Sequence, residues 1–120
     1  MKHIESQIQQ SCFKWFRLQF PDLSMLMFAV PNGGSRRRIE AAIMKAEGVT
    51  AGVADVLFLY PNEQYHGLCI EFKTKTGRQQ KSQKCFQQAV EAHGYKYVIV
   101  RSIEDFIEEV KKYIFVTRKT

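Results

Sequence analysis

Asp55, Glu71 and Lys73 are the residues of this chain whose types and spacing could do chemistry. Asp55 interrupts the apolar run "VADVLFLY" (53–60), and Glu71 and Lys73 stand two apart in "GLCIEFKT" (67–74). A run apolar on both faces belongs to a central strand, where an uncompensated carboxylate costs several kcal/mol. Side chains two apart leave a strand on one face, so Glu71 and Lys73 share a face and Ile70 and Phe72 take the other. The intervening "PNEQYH" makes the two runs an antiparallel hairpin. With its loop centred near residue 63 or 64, partner numbers sum to about 126 to 128, which sets Asp55 opposite residues 71 to 73 on the Glu71 face. Directly opposed Cβ atoms lie about 4.5–5.5 Å apart, so two carboxylates and an ammonium can meet in one patch. A bulge would undo this register, and Asp55 could instead sit at a solvated strand end.

Two close carboxylates repel, and sharing a proton or a cation relieves the repulsion. Oxygen-only ligands suit Mg²⁺ or Mn²⁺, with water and a substrate phosphate completing the octahedron. Beside a lysine, such a metal is equipment for phosphodiester hydrolysis.

The elements that must position these groups are readable from periodicity. Ile4, Ile8, Cys12, Trp15 and Phe16 recur at helical spacing over residues 3–19, with Glu5 on the inward side. "MLMFAV" (25–30) reads as a strand closed by "PNGG", and Ser35 caps a second helix, "RRRIEAAIMKAE", that stops at Gly48. After the hairpin, a third helix runs from about Gln79 to His93, "KYVIV" (96–100) is a strand, and "SIEDFIEEVKKY" is a last helix opened by Ser102 and Asp105. The order α-β-α-β-β-α-β-α predicts a mixed α/β domain, a mixed sheet with helices on its faces. Its 120 residues, 45% of them hydrophobic, suit one domain.

Net charge is +6, from 18 basic and 12 acidic residues. The excess is local: "KTKTGRQQKSQK" (73–84) holds five basic residues and no acid, and "RRR" spans 36–38. Clustered cation of this kind is the footprint of a polyanion, most often nucleic acid, although solvated charge also keeps small domains soluble. The apolar stretches fall short of the roughly 20 residues that cross a bilayer, and an intracellular, cytoplasmic protein is expected. Cys12, Cys69 and Cys85 are widely spaced and odd in number, with no CxxC or Cys/His pairing, so neither a zinc site nor a disulfide framework is signalled and reduced, mostly buried thiols are expected.

An aspartate on one strand followed by Glu-x-Lys on the next resembles the PD-(D/E)XK nuclease superfamily. The succession "PNGG", "GVADV", "IEFKT", "GRQQKSQ" and "GYKYVIVRS" is similar to its VRR-NUC (virus-type replication-repair nuclease) domain, over about residues 3–113, with a short basic tail after that core. Ala54 stands where the superfamily's name writes proline, a position that carries no ligand. The resemblance implies a restriction-endonuclease-like fold and a metal-dependent DNA endonuclease. It implies that Asp55, Glu71 and the Phe72 carbonyl hold Mg²⁺ or Mn²⁺, with Glu5 as a further ligand, and that Lys73 is the catalytic lysine. Gln83, three residues before Phe86 and seven before Val90, matches a glutamine that supports the family's site. Asn32 is a turn former by type, and in the family its loop borders the site, where backbone amides can hold a phosphate. Arg36, Arg37 and Arg38 cannot all face one way on a helix. Arg36 is one candidate for phosphate; Lys75, Arg78, Lys81 and Lys84, directly after the active strand, are better ones. Small stand-alone relatives resemble Holliday-junction resolvases, so four-way DNA junctions and a homodimer are expected. A non-catalytic nucleic-acid-binding module and a nuclease for flaps or duplex are the rival readings.

Overall fold

The computed structural model describes residues 2–31 and 38–115. Helix α1 (Lys2–Gln19) buries Cys12 and Phe16 completely, as its spacing predicts. It stops before Pro21, which opens a 3-10 helix, Pro21–Leu26, at the one place where a missing N–H costs nothing. That turn takes up Met25 and Leu26, so strand β1 is shorter than expected, Met27–Ala29. Helix α2 (Arg38–Ala46) ends at Gly48, whose φ of 103° suits glycine. Ser35, the expected cap of α2, lies outside the described residues.

Strands β2 (Val56–Phe58) and β3 (Leu68–Phe72) form the predicted hairpin. Val56 faces Ile70 and Phe58 faces Leu68, a register in which partner numbers sum to 126. Helix α3 (Lys81–Glu91) crosses to strand β4 (Lys96–Val100), which lies parallel to β3, and helix α4 (Ile103–Phe115) closes the described chain. Parallel neighbours need such a crossover. Asp105 N–H donates to Ser102 Oγ at 3.1 Å, the cap read from the sequence. The four strands run in the order β1-β2-β3-β4, with β1 and β2 also antiparallel.

The sheet has unlike faces. On one, α1 and α4 pack Cys12, Phe16, Phe106 and Val110 onto Val56, Phe58, Ile70 and Val100. On the other, α3 lays Phe86 and Val90 over Ala54, Cys69 and Tyr97. Alternation along β3 sends Ile70 and Phe72 to the first face and Cys69 and Glu71 to the second. Cys12 and Cys69 are buried, and burial pushes their thiols up to about 12 and about 11. Cys85 is exposed, because α3 turns that position to solvent. Among the described residues no helix is long and apolar enough to cross a membrane.

Candidate active site

Asp55 precedes β2 by one residue. Continuing the hairpin register would set Ala54 opposite Phe72 and put the Phe72 N–H on the Ala54 carbonyl. Instead that N–H donates to Asp55 Oδ2 at 2.7 Å. A side chain thus replaces a backbone rung, ends β2 and fixes the carboxylate at the end of β3. The Phe72 carbonyl leaves β3 on the same side as its N–H, towards Asp55. The loop before Asp55 is held by close approach: a Cβ on Gly52 would strike the Ser82 backbone, and its φ of 87° also requires glycine.

Glu71 is 1% exposed, and a carboxylate so buried needs partners. Its Oε1 accepts a short hydrogen bond from the Tyr97 hydroxyl and another from Gln79 Nε2 at 3.1 Å. The same Gln79 amide donates to Gln87 Oε1 at 2.9 Å, which ties it to α3. Glu71 Oε2 lies 3.3 Å from the ammonium of Lys73, itself buried, but takes no hydrogen bond. Burial pushes the Tyr97 hydroxyl above its ordinary range, and the bond to Glu71 adds to the shift, so Tyr97 is a fixed donor.

Asp55 is raised above the 3.8 of an unperturbed aspartate, chiefly by burial. The Phe72 N–H pulls the other way; Glu71 and Glu5 add repulsion, and Lys73 offsets part of it. Glu5, on the first turn of α1, is half-buried and lines the same groove as Asp55 and Phe72. Asp55 therefore feels two other carboxylates and one lysine.

Among the described residues no three of His, Cys, Asp and Glu converge as a ready cage for a metal. A hard cation such as Mg²⁺ does not require one, since one or two carboxylates plus water and a substrate phosphate suffice. Glu71 Oε2, buried without a donor, and the free oxygen of Asp55 are all-oxygen ligands of that kind. The residues present fit a divalent cation.

A family model described as the VRR-NUC domain matches residues 3–104. The chain belongs to the VRR-NUC family. A solved structure described as a VRR_NUC domain protein shares its fold at a TM-score of 0.81 and 27% identity, covering 92% of this chain and 87% of that one. No curated protein matches. The VRR-NUC assignment implies a nuclease-type function for this domain.

Within this VRR-NUC fold the structure sets Lys73 against Glu71 and Asp55 at the end of β3, with Glu5 lining the groove beside Asp55, but it gives Gln83 another task. Its Oε1 accepts from the Gln80 N–H at 2.7 Å in a capping box that starts α3. Gln79, four residues earlier, is the glutamine that reaches Glu71. Lys75, Arg78, Lys81 and Lys84 are exposed, as a phosphate-contacting tract must be. Their turn is held by Arg101, whose Nη1 donates to the carbonyls of Thr74 at 2.7 Å and Gly77 at 2.8 Å. Asn32 and Arg36 lie outside the described residues.

Tyr97, Gln79 and Arg101 were not singled out from the sequence. Tyr97 had a usable signal: it alternates with Val98 in "KYVIV", and a hydroxyl on a buried strand face needs an acceptor. Gln79 lies in a loop eight residues from Glu71, where no periodicity points.

Proposed function

We propose that this VRR-NUC domain is a Mg²⁺- or Mn²⁺-dependent, structure-specific DNA endonuclease of the cytoplasm that acts on four-way junctions as a homodimer. The observation that carries the reading is Glu71 Oε2: a buried carboxylate oxygen with no hydrogen-bond donor, 3.3 Å from Lys73 Nζ and one strand from Asp55. Folding strands such an oxygen only at a cost, and a divalent cation would satisfy it.

Asp55, Glu71 and the Phe72 carbonyl would hold the ion, with Glu5 as a further ligand. When bound, the ion supplies positive charge that polarises the scissile phosphate and makes water more acidic. Lys73 orients the attacking water and offsets charge on the pentacovalent transition state. Tyr97 and Gln79 fix Glu71 through Oε1, and the Phe72 N–H fixes Asp55 through Oδ2, so each carboxylate would have its other oxygen available for the ion. Lys75, Arg78, Lys81 and Lys84, with Asn32 and Arg36 before α2, contact phosphates without reading sequence.

A four-way junction needs two symmetric cuts on opposing strands. One domain carries one site, and a two-fold dimer supplies two of opposite polarity. The test is light scattering on the protein, followed by mapping of both cuts on an immobile junction in Mg²⁺ or Mn²⁺. A dimer with paired, symmetry-related cuts and little cleavage of linear duplex is expected. A monomer that cuts flaps or duplex ends equally well would overturn the junction reading, and no cleavage of any DNA would favour the binding module.

A further inference from the structure

Beside the site runs a groove of about 970 Å³ that Asp55 and Phe72 help to line. Glu5, Gln9, Phe13 and Arg17 of α1 line it at four-residue spacing, with Lys14 and Leu18 in the row alongside. The edge strand β1 lines it with Phe28 and Ala29. Charge changes sign along its length: Glu5 stands at the Asp55 end, and Lys14 and Arg17 stand about 14 and about 18 Å away at the helical rise of about 1.5 Å per residue. Apolar surface is left open beside them, Leu18 at 72% and Phe28 at 39%. The Arg17 guanidinium lies over the Phe13 ring, 5.1 Å from its centroid, and is thereby pre-positioned along the groove.

An acidic end that takes a metal and a scissile phosphate, and a basic end three helical turns on, match a polyanion laid lengthwise. At about 3.4 Å per stacked nucleotide the distance spans roughly five, and fewer when the strand is extended. Exposed phenylalanine and leucine beside that track gain nothing from duplex DNA, whose bases already stack on one another. Unpaired bases have free faces, on which aromatic side chains stack. We propose that the α1 groove binds a short unpaired stretch of the strand being cut at a branch point, with phosphates on Lys14 and Arg17 and bases against Phe28 and Leu18. This rests on the nuclease reading above and names the part of the substrate that reading leaves open. The tract from Lys75 to Lys84 is then the seat of the paired arms.

The experiment is fluorescence anisotropy on the whole protein without divalent metal, with two labelled probes: an oligothymidylate of about six nucleotides and a blunt duplex. Lys14→Gln/Arg17→Gln lowers oligothymidylate affinity about tenfold or more and reduces the slope of log K against log salt by about 1.4, at about 0.7 per single-strand phosphate. Duplex affinity stays within about twofold. Lys81→Gln/Lys84→Gln gives the reverse pattern. Phe28→Ala lowers oligothymidylate affinity about fivefold with the salt slope unchanged. Leu18→Ala, at a position 72% exposed and so harmless to the fold, weakens it in the same way. Equal losses on both probes, or none on the oligothymidylate, would overturn the proposal. Absence of cleavage in Mg²⁺ or Mn²⁺ alongside the expected binding pattern would overturn the nuclease reading and keep the groove; normal cleavage with inert groove variants would do the opposite.

Discussion

Helix α4 buries Phe106, Val110, Tyr113 and Ile114, whereas α2, with Ile39 and Ile43 at the same four-residue spacing, leaves them 74% and 53% exposed. Both are amphipathic by pattern. α4 directly follows β4, the strand paired with β3, so its apolar stripe lands on the sheet that carries Glu71. α2 buries no residue at all. Patterning states that a helix has an apolar face; only topology decides whether the same chain covers it. The side of the molecule built from β3, β4 and α4 is therefore where substitutions should be costly, and α2 is where they should be cheap.

The sharpest contrast is Phe106→Ala against Ile43→Ala. Phe106 is fully buried between Trp15 and Phe72, and its truncation should cost about 3–5 kcal/mol in chemical denaturation. Ile43→Ala should stay within about 0.5 kcal/mol, as exposed positions do. Comparable losses would mean that α2 packs on something in solution.

Next in size is Tyr97→Phe, which removes a donor to Glu71 Oε1 and leaves Gln79. Outer partners of metal ligands are worth about 10–100-fold, and about a tenfold fall in Mn²⁺ affinity by calorimetry is expected, with the fold intact. An unchanged affinity would make Tyr97 a packing residue only.

Smallest is a pH effect in metal-free protein. Asp55 has its folded pKa raised, mainly by burial, so the folded state holds this proton more tightly than the unfolded chain. Its contribution favours folding below the unfolded value near 3.8 and is lost as pH rises through the folded value. Asp55→Asn, which cannot ionise, should melt slightly higher than wild type at neutral pH, and the gap should close in acid. Added Mn²⁺ should reverse the order by stabilising wild type alone. A variant that melts lower at every pH would show that the carboxylate stabilises the metal-free fold.

Much of this site was legible because strand geometry has a period of two and hairpin partners obey a fixed sum. Asp55, Glu71 and Lys73 followed from those rules and from the turn residues between the strands. The rules failed where a side chain broke them. The run 53–60 yields a strand of only Val56–Phe58, because the Asp55 carboxylate takes the Phe72 N–H that a longer β2 would have used. Gln83 was expected near the sheet from helix phase, but a glutamine at the third position of a helix can turn back to cap it, and Gln79 takes the inner contact. The 3-10 helix Pro21–Leu26 has no apolar period to betray it.

Junction hydrolysis under metal titration, in wild type and Glu71→Gln, tests the central claim most directly. Glu71 makes its contacts through both oxygens, and the substitution removes the charge while keeping the shape. Wild type should be silent in chelator and saturate with Mg²⁺ or Mn²⁺. Glu71→Gln should lose activity about 100-fold or more while binding metal-free junction within about twofold of wild type. Cleavage by wild type without any divalent metal, or a Glu71→Gln variant as active as wild type, would contradict the account.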